Sequence, residues 1–311
     1  MSCSLCRAAE LGVVASSDSK TGSELKVAVC NLCGFVQQLN PPSDCELRAY
    51  YSHNYRQDYK KTYTPLSKHI LRAALAAVHR LHFLATEVSP GGSEARARLL
   101  DVGAGGGEVV YAAQKLGFDA IGLEPNEGYS EFARDQYGVR VKTMHLDQLE
   151  EQDFDVITMF HVLEHLPNPA RAIEFVYRKL RPGGYLMIEV PNIEQADASP
   201  ANIFFKAHIW YFSRATLTAF ASPYFDPIKA EATGNLKILF RRKGTPGQLA
   251  LPDAHSVSHV LKRLKQKGWI EYLTIGGGWK RPFQRLGNLL KESSVKGMQP
   301  RAILDLVLAT R

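Results

Sequence analysis

The chain has 311 residues, 45% hydrophobic and 22% charged, with 38 Lys and Arg against 31 Asp and Glu for a formal charge of +7. This mix excludes a disordered or low-complexity chain, and the length is enough for one sizeable core plus an appendage. No apolar run approaches the ~18 residues of a membrane span and nothing ahead of the first cysteines has the form of an export signal, so a soluble, cytoplasmic protein is expected. The positive balance, much of it in the last 75 residues, suits phosphorylated or nucleic acid ligands without requiring them.

At the amino terminus, Cys3-Ser4-Leu5-Cys6 and Cys30-Asn31-Leu32-Cys33-Gly34 form two C-x-x-C knuckles around a strand-like Leu25–Val29. Each knuckle aims two thiolates at one ion, and the four sulfurs complete a closed tetrahedral zinc site with no open position, which is a structural metal. Gly34 fits the tight turn that points amides toward the sulfurs. Disulfide pairing is the alternative, and the lack of an export signal weighs against it. So small a module cannot bury enough core alone, so its folding is expected to be inseparable from metal binding. Residues 1–45 are thus a zinc ribbon closed by Asn40-Pro41-Pro42-Ser43, with Cys45 a spare thiol.

Residues 46–93 follow. The tyrosine-rich stretch 50–63 lacks periodicity and suits an ordered loop over a pocket, as aromatic lids exclude water. From about Pro65 to Thr86, Leu66, Ile70, Leu71, Leu75, Val78, Leu81 and Leu84 make the apolar face of a helix. Ser89-Pro90-Gly91-Gly92-Ser93 links it to what comes next.

Residues 94–243 carry the chemistry. Leu99-Leu100-Asp101-Val102 suits a buried parallel strand, and Gly103-Ala104-Gly105-Gly106-Gly107 lets the chain turn where a ligand lies against its main chain. A helix from about Gly107 to Leu116 completes the strand–glycine turn–helix unit with which α/β sheets build nucleotide sites. The next strand, Ala120–Leu123, ends at Glu124, where an acid accepts hydrogen bonds from ribose hydroxyls. Arg140–Thr143 is a third strand and Phe154–Phe160 a fourth, running into His161-Val162-Leu163-Glu164-His165-Leu166. A helix at about 169–180 precedes a Leu180-Arg181-Pro182-Gly183-Gly184 turn and a fifth strand, Tyr185–Val190. An irregular insertion (191–213), a helix near 214–221 and strands at Tyr224–Ala232 and Leu236–Phe240 close this region.

Residues 244–311 have helical, basic segments at 255–270 and 279–293 separated by three glycines. The apolar end, Ile303–Thr310, competes with Leu236–Phe240 to be the last strand of the sheet and is slightly favoured for it.

DVGAGGG (101–107), the acid of GLEPN (122–126), FDVITMFHVLEHL (154–166) and LRPGGYLMIEVPN (180–192) resemble, in order and spacing over about 95–243, the class I S-adenosylmethionine (SAM)-dependent methyltransferases. The resemblance implies an α/β, Rossmann-like seven-stranded sheet, here with the ribbon before it and a helical extension after it. It also implies SAM as cofactor. Asp101 and the turn of Gly103, Ala104 and Gly105 would hold the methionyl part, Glu124 and Pro125 the ribose side, and Leu146 and Asp147 the adenine. Phe160 and His161 would border the sulfonium.

Methyl transfer needs alignment, exclusion of water and often a base for the acceptor's proton. His161, Glu164, His165 and His208 are the candidates. His161 and His165, four apart, share a face if this turn is helical, with Glu164 close enough to orient one ring. The same H-x-x-E-H spacing spells an inverted zinc-protease signature, but that needs a long helix, which Pro167 and Pro169 break, so no metal is expected there. His208 lies in Ala207-His208-Ile209-Trp210-Tyr211-Phe212-Ser213, which resembles an H-x-x-x-F-S element bordering the acceptor pocket in one broad methyltransferase group; closing the sheet is its other reading.

The domain order resembles that of sugar C-methyltransferases acting on nucleotide-linked deoxysugars. Their carboxyl-terminal domain exceeds the roughly 70 residues left here after 243, so O-methylation of a sugar, glycan intermediate or secondary metabolite stands beside C-methylation. Two other functions stay open. One is a ribosomal or transfer RNA base methyltransferase, with the ribbon reading RNA and the basic tail holding phosphates. Against it, the fourth strand lacks an N-P-P-Y type ending and the first 40 residues hold only Arg7, Lys20 and Lys26 as cations. The other is a catalytically silent scaffold, against which the intact glycine turn and Glu124 argue.

Overall fold

A computed structural model describes residues 2–49, 65–91 and 96–310; the tyrosine-rich stretch expected to act as a lid lies outside them. In chain order the strands are β1 (Leu11–Ser17), β2 (Glu24–Cys30), β3 (Val36–Gln38), β4 (Arg98–Val102), β5 (Asp119–Leu123), β6 (Val141–Lys142), β7 (Phe154–Phe160), β8 (Leu180–Pro191), β9 (Trp210–Tyr211), β10 (Phe225–Glu231) and β11 (Asn235–Arg242). The helices are α1 (Asp44–Ala49), α2 (Ser67–Ala85), α3 (Glu108–Lys115), α4 (Glu127–Tyr137), α5 (Pro169–Lys179), α6 (Arg214–Ala221), α7 (Ala254–Gln266), α8 (Trp269–Leu273), α9 (Arg281–Ser294) and α10 (Pro300–Ala309). One sheet has seven strands in the order β10-β11-β8-β7-β4-β5-β6 and the other four, β1-β2-β3-β9. No described helix is long and apolar enough to cross a membrane.

The chain divides into two compact units, one of residues 1–43, 160–177 and 188–282, the other of 44–159, 178–187 and 283–311. In the second unit β4 pairs in parallel with β5 and β7, and β5 with β6, so Asp101 stands opposite Gly122 and Thr158. Every residue of β7 is buried, as an apolar run covered on both faces requires. Helices α2, α3 and α10 pack on one another in this unit. Of the face foreseen for this helix, Ile70, Leu71, Leu81 and Leu84 are buried in α2 together with Ala74, Ala77 and Phe83, whereas Leu75 and Val78 are half-buried and Leu66, just before the helix, is exposed.

In the first unit the ribbon recruits residues far along the chain. β9 adds to the edge of β3 with Val36 opposite Tyr211 and Gln37 opposite Trp210. Leu25, Val27, Val29 and Val36 share a core with Ile193, Tyr211 and Val260. This answers how so small a module buries enough apolar surface. Gln38 Nε2 donates to the carbonyls of His208 (2.8 Å) and Lys206 (3.1 Å), and Asp18 Oδ2 accepts from Lys206 N–H (2.8 Å). The ribbon thereby grips the loop that carries His208.

Three expectations are corrected. The terminal segment is helix α10, with Pro300 in its first turn, and the sheet's edge hairpin is β10–β11. Ile303, Leu304 and Val307 are buried while Leu306 is 46% exposed, a pattern with the period of a helix. Leu180 to Gly184 opens strand β8 instead of forming a separate turn; Gly183 takes φ +73°, and a Cβ on Gly184 would lie 3.0–3.1 Å from the carbonyls of Arg181 and Asp155. Finally, Leu163–His165 is one 3-10 turn and His161 precedes it at φ +57°, so His161 and His165 do not share a helical face.

Helix and strand make opposite predictions for α10. Leu304→Ala should destabilise the protein by about 2–4 kcal/mol and Leu306→Ala by less than about 0.5, because only the first empties a packed site. A strand would put both on one face and cost them alike; urea unfolding of the two variants distinguishes the outcomes.

Candidate functional site

One candidate cluster is built in the second unit at the carboxyl ends of β4 and β5. As β4 ends, Gly103, Gly105 and Gly107 all take positive φ (73°, 56° and 86°), which side-chain-bearing residues resist. The amides of Gly103 and Ala104 both donate to Leu123 O at 2.8 Å, hooking the turn over the end of β5. Gly122 permits this approach: a Cβ there would come within 2.6 Å of the Ala104 methyl. Gly107 opens α3 under the same constraint, its absent Cβ standing 2.7 Å from that of Ala133.

Glu124, buried at the tip of β5, closes the arrangement. Its Oε2 accepts from Gly105 N–H at 2.8 Å and its Oε1 from Asn126 N–H at 3.0 Å. Each carboxylate oxygen has two lone pairs and can accept more than one hydrogen bond. Asn126 in turn caps α4 by accepting from Tyr129 N–H. Asp101 is also buried and accepts from Thr158 Oγ1 at 2.7 Å. Burial pushes its carboxyl up to about 7 against that hydrogen bond, so near neutrality it is balanced between its two protonation states. Pro125 and Leu146 are half-buried and Asp147 is exposed on a short 3-10 turn after β6.

A second cluster lies in the first unit, beginning with the residue that follows β7. His161 Nδ1 is 3.2 Å from Glu164 Oε1, and its Nε2 is 3.0 Å from Asn235 Nδ2 and 3.3 Å from Glu189 Oε1. Asn235 also donates to Glu189 Oε1 at 2.9 Å. Glu164 is fully buried; burial alone would raise its carboxyl, but the His161 hydrogen bond and the neighbouring imidazoles hold it down at about 2. His165 Nδ1 donates to Ala207 O at 2.6 Å, and its ring stands edge-on to His208 with centroids 4.9 Å apart. Desolvation, followed by the charge of His165, lowers His208 well below its ordinary value, so that ring is neutral. The backbone binds the same elements together: Ile209 N–H donates to Glu164 O at 3.0 Å and Trp210 Nε1 to Leu166 O at 2.6 Å.

The four histidine and glutamate candidates are therefore brought together, with Phe160 buried beside them in sequence. Glu189 and Asn235 were missed by sequence reasoning. Glu189 had a signal, as the lone acid in the apolar run of β8; Asn235, at the start of β11, had none.

The four knuckle cysteines converge in the first unit, with Cys3 and Cys33 sulfurs 3.5 Å apart and Cys6 and Cys30 likewise. All four sulfurs lie within 4.8 Å of one another, against about 3.8 Å for thiolates around one tetrahedral zinc. The Cys33 thiol hydrogen-bonds Cys3 and lowers it to about 5, while Cys33 itself is pushed up. Gly34 forms the tight turn expected of the second knuckle, at φ +71°, and its amide donates to the carbonyl of Cys30. Arg7 takes the same conformation (67°) in the first knuckle.

The family described as "Methyltransferase domain" matches residues 67–222. The ubiquinone biosynthesis O-methyltransferase of Alkalilimnicola ehrlichii is 31% identical over 110 residues, 33% of this chain and 44% of that protein. That of Methylococcus capsulatus is 30% identical over 121 residues, 36% of this chain and 49% of that protein. The chain thus spans less than half the length of these curated relatives. Among solved structures, magnesium protoporphyrin IX methyltransferase from Synechocystis PCC 6803, with bound SAH, superposes with a TM-score of 0.51 at 12% identity, covering 65% of this chain and all of that one. That likeness shows the fold.

Proposed function

Because the chain belongs to the class I SAM-dependent methyltransferases, we propose that it methylates a hydroxyl oxygen of a small-molecule acceptor: a sugar, a glycan intermediate or a secondary metabolite. The observation that carries this reading is the glycine turn locked by Glu124, with Asp101 buried behind it. Bound SAM supplies an already activated methyl group. Asp101 and the backbone of Gly103, Ala104 and Gly105 hold its methionyl part, Glu124 and Pro125 its ribose side, and Leu146 and Asp147 its adenine. Phe160 and His161, which the chain reaches directly from β7, take the sulfonium end.

His161 is the base in this reading. Its Nδ1–H donates to Glu164, so Nε2 carries the lone pair; Asn235 Nδ2–H holds it at 3.0 Å in this structure, and the acceptor's hydroxyl takes that place when the amide gives its hydrogen bond to Glu189 Oε1 alone. The resulting imidazolium lies between two buried carboxylates, Glu164 and Glu189, which stabilise its charge. His165 and His208 are positioning residues around Glu164. Oxygen is preferred over carbon as the methylated atom because the curated relatives are named O-methyltransferases and a histidine–glutamate pair suits removal of a hydroxyl proton. The four cysteines hold one structural zinc, which fixes the ribbon and, through Gln38, the His208 loop.

Transfer of isotope-labelled methyl groups from SAM into extracts of the source organism tests the activity. A labelled O-methyl product is expected, and His161→Gln should lower turnover by about 10²–10⁴-fold while SAM affinity stays within about twofold. Failure of the wild-type protein to bind SAM or label any product refutes the function; unchanged turnover in His161→Gln refutes the base.

SAM binding should also depend on pH. Its ammonium group favours the Asp101 carboxylate, so below about 7 the free protein must lose a proton to bind. Affinity should fall up to about tenfold per pH unit as pH drops below 7, level off above it, and lose this dependence in Asp101→Asn. Calorimetric titrations from pH 5.5 to 8.5 check this.

A further inference from the structure

Glu164, His165 and His208 each offer one ligand atom, and these atoms lie within 4.8 Å of one another. Their arrangement has three properties that hydrogen bonding inside the cluster does not explain. First, Glu164 Oε2 is fully buried and accepts no hydrogen bond, although Oε1 faces His161. A buried carboxylate oxygen without a partner is costly, and a native structure retains one where something else compensates it. Second, His165 donates its Nδ1 proton to the Ala207 carbonyl, so in the neutral ring Nε2 carries the lone pair, and Nε2 lies 4.0 Å from Oε1 of the same Glu164 carboxylate. An imidazole that gives one ring N–H to a backbone carbonyl and turns its other nitrogen toward a carboxylate has the second-shell arrangement of a metal ligand. Third, the ribbon fixes the loop that carries His208 through Gln38 and Asp18, so this ring is delivered to the cluster independently of the 3-10 turn that bears the other two donors.

We infer that Glu164, His165 and His208 form a second metal site, a two-histidine, one-carboxylate set for a divalent transition-metal ion such as zinc or cobalt. Ligands about 2.0–2.2 Å from such an ion stand at most about 4.4 Å apart, so small side-chain movements close the site. Three protein ligands leave a coordination position open, unlike the closed four-sulfur site. The site does not arise from the H-x-x-E-H spacing itself. His161, at φ +57° outside the 3-10 turn, is not a ligand, and the third donor comes from a loop more than forty residues later. Coordination by Oε2 leaves Oε1 to hold His161. If the reading of this cluster as the acceptor's side holds, the open position takes the acceptor's oxygen; the ion's binding does not depend on that reading.

The test is metal content of the full-length protein, loaded with Co²⁺, freed of excess and measured by elemental analysis alongside its absorption spectrum. His208→Gln and Glu164→Gln should each bind one equivalent less than wild type, with the intense thiolate bands of the cysteine site unchanged. His208→Gln leaves the His161–Glu164 pair in place, so metal loss there is separable from failure of the proposed base. Intact thiolate bands and a wild-type circular dichroism spectrum report that each variant is folded. Equal cobalt in the wild type and either folded variant overturns the proposal, and if one variant does not fold the other decides.

Discussion

One buried carboxylate organises the candidate cofactor half of this protein. Glu124 accepts from the amide of Gly105 with one oxygen and from that of Asn126 with the other, tying the turn after β4 to the start of α4. Neither amide belongs to a regular element, so without Glu124 the buried Asn126 donor would lose its partner at about 1–3 kcal/mol, and the half-buried Gly105 donor would lose its partner at a smaller cost. The turn depends on further constraints around it: positive φ at three glycines, and the absence of a side chain at Gly122 where Ala104 crosses. A ligand binding there meets a surface already set in shape, which reduces the ordering cost of binding.

The ribbon looks at first like an independent appendage, yet it is packed and hydrogen-bonded to the segment that brings His208 to the histidine–glutamate cluster of the same unit. Its sheet ends in β9, its core includes Ile193, Tyr211 and Val260, and Gln38 holds the carbonyls of the loop bearing His208. Ile209, next along, donates its amide to Glu164 O. A metal that folds the ribbon would therefore also set the position of a histidine in the cluster, a structural ion with a consequence for chemistry.

What could be foreseen from residues alone follows physical lines. The glycine turn was legible because positive φ singles out glycine, and the C-x-x-C knuckles because four thiols at that spacing have few other uses. The acid at Glu124 followed from the end of an apolar strand. The terminal helix was misjudged because Ile303-Leu304 and Leu306-Val307-Leu308 form a short apolar run, which suits either period; only packing against α2 and α3 selects the helix. β9 has two residues and pairs with a strand some 170 positions earlier, and such non-local pairing has no local signature. The relation of His161 to His165 was misread because a non-glycine residue at positive φ breaks the expected turn before it starts. Asn235 reaches His161 only through the tertiary fold.

The most direct measurement of the central claim is a calorimetric SAM titration of Glu124→Gln beside the wild type. The substitution keeps the side chain's size but removes its charge and one of its two acceptor oxygens. With Glu124 both closing the turn and receiving the ribose hydroxyls, affinity should fall by about 10-fold or more in a variant whose circular dichroism remains that of a folded protein. A folded Glu124→Gln protein that binds SAM as tightly as wild type would contradict the account at its base.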